Sequence, residues 1–313
     1  MADQPDLTAE SLAVLHDSAA TRLLQPVRFG GRAVDTREFV SAVADLAATD
    51  GSAGWLAAMV NAAAHQVDGL GATAAEQVWG ADPAALVTVG VGRGHLTTRR
   101  GLLHLTGRWD SVTGAEVADW LLLSAEFDGT ARLVLVPRDG VELRRPDLRG
   151  LRAAGISDAT VSDAIVEPGQ VFDENPCRGG TFTAIAGAGA AAAVVGAAHG
   201  IWRAHVEQVR NRLATSFGSE DATERTSSAV TVARAASAID AARLQLDASL
   251  HEPHVAAARA QQQAVTRTRT AADRLLSSGN RHALDGADPV SRGWLDVLAG
   301  YRLTIRLLQG VGD

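Results

Sequence analysis

The chain reads as an α+β protein with a strand-rich middle between two helical parts, and three changes of hydrophobic period carry that reading. Up to about residue 80 apolar side chains recur every three to four positions. Pro83 then opens a stretch, residues 86–171, of short strand-like runs separated by Gly, Asp and Pro turns. Beyond Pro176 the helical period returns in long alanine-rich segments. The expected division is 1–80 for N-terminal helices, 81–175 for a small barrel or sandwich and 176–313 for a helical bundle.

In the first part, Leu7–Leu24 places apolar residues at 12, 15, 19, 20, 23 and 24, with Thr8 and Ser11 as caps. Pro26 and Gly30-Gly31 break the pattern. Asp35 or Thr36 caps a helix to Ala48, and Asp50-Gly51-Ser52 precedes another, Ala53–Val67, carrying Trp55, Met59 and His65. The middle part holds LVTVGV, HLTTRR, LLHLTGRW, WLLLSAEF, ARLVLVP, VELRRP and ATVSDAIV, with turns at FDGT and PRDGV. The last part predicts helices over Thr183–Val209, Ser227–Leu250, His254–Ser277 and Val290–Leu308, joined by the polar stretches SFGSEDAT and SSGNRHALDGADP.

Composition narrows the chemistry. Net charge is −7 without a basic tract, which argues against nucleic acid as a partner. All 29 basic residues are arginine, which removes lysine Schiff-base and lysine general-base chemistry. The single cysteine, Cys177, cannot form an intrachain disulfide, and no Cys/His spacing matches a zinc site, so no metal is expected. MADQPDLTAE lacks the character of a signal peptide, and the apolar run Ile185–Ala198 is shorter than the roughly 20 residues a membrane span needs. A cytoplasmic protein with no membrane partner is expected.

The least ordinary stretch is LTGRWDSVTGAEVADW, 105–120, which sets Trp109, Ser111, Thr113 and Gly114 within six residues at a strand end. Hydroxyls and free backbone groups there suit a flat polar heterocycle; an ordinary turn with a packed tryptophan is the plainer alternative. His65 suits a general base for deprotonating a phenol, or else a helix histidine bonded to a neighbour. His95 and His104 read as structural, and His199 and His205, six apart, share no helix face. The run GAGAAA at 187–192 lacks a preceding strand, so helix packing explains it better than dinucleotide binding. Arg267 and Arg269 fit a solvated face, with phosphate contact as the alternative. Arg292 and Asp296, four apart, are placed to pair on the last helix, as structural support or as substrate contacts.

The motifs, in order, resemble the acyl-CoA dehydrogenase superfamily, and within it the two-component flavin-dependent monooxygenases. Its G-R-W-S-F-S-S-G is met by Gly107-Arg108-Trp109-Asp110-Ser111-Val112-Thr113-Gly114, followed by Ala118-Asp119-Trp120. LLQPVRFGGRAVDTREF, 23–39, and Gly51-Ser52-Ala53-Gly54-Trp55 resemble its N-terminal motifs. G-L-R-G-T-G-S is met by Gly150-Leu151-Arg152-Ala153-Ala154-Gly155-Ile156, and P-L-Q-R-x-W-R-D by Pro289-Val290-Ser291-Arg292-Gly293-Trp294-Leu295-Asp296.

The resemblance implies N-terminal helices, a central small β-barrel domain and a C-terminal four-helix bundle. It implies an enzyme holding FMN or FAD between barrel and bundle, a neighbouring subunit completing the site, and assembly as a homodimer or homotetramer. Mapped by position, Thr88, Gly90, Trp109, Ser111 and Thr113 are the flavin-facing residues, and Arg212 meets the flavin phosphate. His65 is the candidate base, and Trp55, Arg292 and Asp296 belong to the substrate side. The implied activity is monooxygenation of a bulky small molecule with reduced flavin from a separate reductase.

Departures from the pattern define an alternative. Two loop hydroxyls are replaced by Ala154 and Ile156, and the family's histidine position is Leu303, which cannot act as a base. No glutamate occupies the place of the acyl-CoA dehydrogenase base, and the N-terminal helical part is expected to be shorter than the family's by one or two helices. A flavin-free relative catalysing a non-redox cyclisation, dehydration or rearrangement fits these losses.

Overall fold

The computed structural model describes residues 19–173, 176–215, 222–278 and 285–309, without the side chains of 176–181, 213, 215 and 222–227. Most of the expected helix Leu7–Leu24 with its caps Thr8 and Ser11, the Cys177 side chain, and parts of the two polar stretches, 216–221 and 279–284, lie outside the described residues. The described end of that first helix is a single 3-10 turn, Ala20–Arg22, preceded by Ala19 at φ 54°. That left-handed residue cannot continue an α-helix.

Contacts group the chain into two compact units, whereas the expected three-way division follows secondary-structure type. One unit holds residues up to Asp35, Leu56–Leu148 and Arg152–Ala186; the other holds Thr36–Trp55, Arg149–Leu151 and Gly187 onward.

The first unit is a sheet with helical cover. Its strands are β1 (Val87–Gly90), β2 (Arg93–Arg99), β3 (Leu102–Val112), β4 (Trp120–Phe127), β5 (Thr130–Pro137), β6 (Glu142–Arg144), β7 (Ser157–Val166) and β8 (Val171–Asp173). Hydrogen bonding orders them β6-β7-β3-β2-β4-β5-β8, with β1 parallel to β4. The seven expected runs are strands; β8 is an eighth, too short at three residues to show a period. One core gathers Leu96, Leu105, Trp109, Leu121, Leu123, Val134, Val136 and Val161. A second gathers Val87, Leu122, Leu133 and Leu135 with Ala63, Val67, Val78 and Trp79, the helical residues coming from α2 (Gly51–Leu70) and α3 (Ala72–Trp79). Leu122 and Leu121 alternate between the two, so β4 is buried on both faces and reads as a continuous apolar run.

In the second unit α1 (Thr36–Ala47) and the start of α2 join four long helices: α4 (Pro176–Thr215) from Gly187 onward, α5 (Ala222–Ser249), α6 (His254–Ser277) and α7 (Pro289–Leu308). Small residues set the spacing. A Cβ on Gly196 would sit 2.1 Å from the Ala44 carbonyl oxygen, and one on Gly200 2.5 Å from that of Ala48, so α4 and α1 touch backbone to backbone. Asp288 caps α7 by accepting from the Val290 and Ser291 amides, with Pro289 at the first turn. Within α4, Phe182–Arg212 is long and apolar enough to cross a membrane, more than the run Ile185–Ala198 implied. In its most apolar window 78% is buried, as in a core helix.

Candidate functional site

The segment 105–120 is built by its own strand and fixed by three others. Trp109 is 0% exposed, and its Nε1 donates to the Ser124 carbonyl oxygen at 2.9 Å. Four glycines surround the indole. Cβ atoms on Gly92, Gly94 and Gly107 would fall 2.7, 2.6 and 2.7 Å from Trp109 ring atoms, so a side chain at any of the three displaces the ring, and one on Gly90 would meet Leu123 Cδ2 at 2.7 Å and Trp109 Cβ at 3.3 Å. Gly90 makes room for Leu123 and, less tightly, for Trp109, whose side chain is fully buried. Thr88 is likewise 1% exposed, and its hydroxyl donates to the Thr113 carbonyl oxygen. Thr88, Gly90 and Trp109, expected against a flavin, brace the segment from within. Ser111 is half-buried and Thr113 is 7% exposed.

Beyond Trp109 the β3–β7 register shifts, and Ser111 takes φ 58°. Its amide donates to Asp158 Oδ1 at 3.1 Å, while Asp158 Oδ2 accepts from Arg144 at 2.9 Å and Arg108 at 3.2 Å. Burial alone would push the Asp158 carboxyl up; the Ser111 amide and the two guanidiniums outweigh it and hold the group below the ordinary aspartate range. The Gly114 amide donates to the Ala154 carbonyl oxygen at 3.0 Å. Glu116 pairs with Arg145 and accepts from the Ser157 hydroxyl at 2.7 Å, and these contacts overcome its burial and lower its pKa. Asp119 accepts from the Leu86 amide at 2.7 Å, tying the segment's end to the approach of β1. Asp158, Glu116 and Asp119 were not singled out from sequence as site residues. Their partners lie 14 to 50 positions away, and the local signals were Asp119 within the Ala-Asp-Trp motif and Asp158 just after the Gly150–Ile156 motif.

His65 lies on α2 in the same unit, half-buried. Burial lowers its pKa, with the Asp68 charge opposing, so the ring is neutral and able to accept a proton at pH 7. Arg28 pairs with Asp68 at 2.7 Å.

In the second unit Trp55 is 3% exposed and packs against Gly300 of α7. Asp296 does not pair with Arg292, which is exposed. Its Oδ1 instead accepts from the Leu151 amide at 2.6 Å, and a Cβ on Gly51 would lie 2.9 Å from its Oδ2. Burial pushes its pKa up to about 6. Arg212 on α4 donates to the Ser228 hydroxyl of α5 at 3.1 Å. Asp296 thus lies by Gly51 and Trp55 by Gly300, both where the start of α2 meets α7, and the Arg292 charge acts on Asp296 without an ion pair. Arg267 is exposed, and Arg269 lies over the Tyr301 ring at 5.1 Å. His205 is buried with its Nε2 3.3 Å from the Ser278 hydroxyl, and no group of three metal-ligating side chains occurs among the described residues.

A helix-covered eight-stranded sheet followed by four long helices is the architecture of an acyl-CoA dehydrogenase. Residues 188–304 match the family described as acyl-CoA dehydrogenase, C-terminal domain. The chain is 27% identical, over 93% of its length and 86% of the relative's, to the flavin-dependent monooxygenase oxygenase subunit HsaA of Rhodococcus jostii strain RHA1. The crystal structure of the HsaA monooxygenase from M. tuberculosis superposes with a TM-score of 0.83 at 26% identity, covering 97% of this chain and 91% of that one. XiaF from Streptomyces sp., solved with FADH2 and glycerol, shares the fold at a TM-score of 0.83 and 20% identity, over 97% and 87% of the two chains. Residues 188–304 thus match the acyl-CoA dehydrogenase C-terminal domain, and the HsaA relatives that match over nearly the whole chain are oxygenase subunits of flavin-dependent monooxygenases.

Proposed function

We propose that this chain is the oxygenase subunit of a two-component flavin-dependent monooxygenase that hydroxylates a bulky, partly aromatic small molecule. The observation that carries the proposal is the likeness to HsaA over nearly the whole chain together with the shared fold. Reduced flavin from a separate reductase supplies the electrons for activating dioxygen. FMN or FAD meets the 110–114 turn, with Ser111, Thr113 and the turn's backbone on the flavin side and Thr88, Gly90 and Trp109 bracing it. Arg212 is the phosphate partner, its guanidinium offering paired donors. His65, kept neutral by burial, accepts the substrate's phenolic proton. Trp55, Arg292 and Asp296 shape the substrate side, a neighbouring subunit completes the site in a homodimer or homotetramer, and the location is cytoplasmic.

The test is anaerobic titration of purified protein with reduced FMN and reduced FAD, followed by oxygen consumption with a panel of phenols. Binding of one flavin and flavin-dependent oxygen uptake are expected. His65→Gln is expected to lower turnover by about 10²-fold or more while leaving flavin affinity unchanged. A protein that binds neither reduced flavin ends the proposal.

One observation favours a second reading. Ala154 and Ile156, at the family's hydroxyl positions, are 0% and 3% exposed and serve as core. A pocket without those hydroxyls fits a flavin-free enzyme for a non-redox rearrangement, and a colourless protein that leaves added flavin unbound would favour it.

A further inference from the structure

We infer that Asp158 is the positioning residue that shapes the cofactor-facing turn, acting through the amide of Ser111; this rests on the flavin reading above. Between Trp109 and Val112 β3 advances three residues, while its partner β7 advances two, from Ala159 to Ser157. Such a bulge leaves one residue outside the ladder and swings the strand's direction. Here the residue at φ 58° is a serine, and a left-handed conformation costs a non-glycine residue about 1 kcal/mol. The strain persists only if something holds it.

Asp158 supplies the hold. Its Oδ1 takes the Ser111 amide, the group the bulge would otherwise leave without a ladder acceptor. Its Oδ2 takes Arg108, three residues earlier on the same strand, so one carboxylate grips both sides of the bulge. Arg144, opposite Asp158 in the β6–β7 ladder, fixes the carboxylate from the other side. The Asp158 side chain is 10% exposed, while the two guanidiniums are 57% and 71% exposed. The buried member of the set is therefore the one bound to the turn. Which way Ser111 Oγ and the following backbone point is decided by a residue 47 positions later in the sequence.

The experiment compares wild type, Asp158→Ala, Asp158→Asn and Arg144→Ala as full chains. Amide hydrogen exchange across residues 107–114 is followed without flavin, thermal melting is recorded, and reduced FMN and reduced FAD are titrated anaerobically. The alanine variant is expected to exchange the Ser111 amide about tenfold faster and to bind reduced flavin about tenfold more weakly. Asparagine retains an acceptor oxygen and is expected to recover most of both. Arg144→Ala, which removes an exposed side chain, is expected to move both readouts the same way by about threefold, and it stands in if the alanine variant does not fold. Folded variants with wild-type exchange and wild-type flavin affinity overturn the inference, as does faster exchange with unchanged affinity. If wild type itself binds neither flavin, the flavin reading fails, an outcome distinct from unchanged affinity in a variant.

Discussion

At Asp296, burial and the nearby Asp50 carboxylate push the pKa up to about 6, against the pull of the Leu151 amide and the Arg292 charge. The folded protein thus holds this proton more tightly than the unfolded chain, whose carboxyl titrates near 3.8. The resulting stabilisation is fully present below about pH 4 and is lost as pH rises through about 6, an effect of at most about 3 kcal/mol. Asp296→Asn keeps an acceptor for the Leu151 amide and never ionises. It is expected to melt several degrees higher than wild type at pH 8 and to lose that advantage near pH 4. Melting curves between pH 4 and 8 check this, and a variant less stable than wild type at pH 8 would contradict it. The sequence made Asp296 a candidate through its place beside Arg292, but the partner it uses is a backbone amide 145 positions earlier. Spacing on one helix reveals possible i,i+4 pairs; it carries no information about a loop that reaches the same carboxylate from elsewhere.

The elements themselves were largely legible. Strands of strong β composition closed by Gly, Asp and Pro turns appear where the alternation places them, and the alanine-rich helices follow their period. What the pattern missed is what depends on pairing. The bulge at Ser111 exists because β7 stands opposite, and the role of Trp109 is decided by glycines on β1, the following turn, β2 and its own strand. In the turn motif the tryptophan reads either as packed or as facing a ring; enclosed by glycines it is core. Gly94→Ala tests that cradle, since its Cβ would lie 2.6 Å from both the indole and the Ser124 carbonyl oxygen. Overpacking of this kind costs about 1–3 kcal/mol. The variant is expected to have a lower urea midpoint and a perturbed Trp109 environment in near-ultraviolet circular dichroism, whereas wild-type values for both would show that the sheet yields there freely.

For the whole molecule, the order of helices, sheet and long helices was legible because each change of period is long enough to outweigh local exceptions. The grouping into two units was not, since α2 crosses from one to the other between Trp55 and Leu56 without any break in its sequence pattern. Composition makes one prediction at this scale. With 29 arginines and no lysine side chain, every fixed cationic contact to a phosphate in this chain is a guanidinium. Phenylglyoxal, which modifies arginine, is therefore expected to abolish reduced-flavin binding, with flavin present beforehand giving protection. Amine-directed acylation should leave binding intact. Arg212→Ala is expected to weaken the flavin about 10- to 100-fold, as for loss of a charge-assisted phosphate contact, and to remove most of the protectable phenylglyoxal effect. Protection unchanged in that variant would move the phosphate contact to another of the arginines, and loss of binding on amine acylation would contradict a purely guanidinium site.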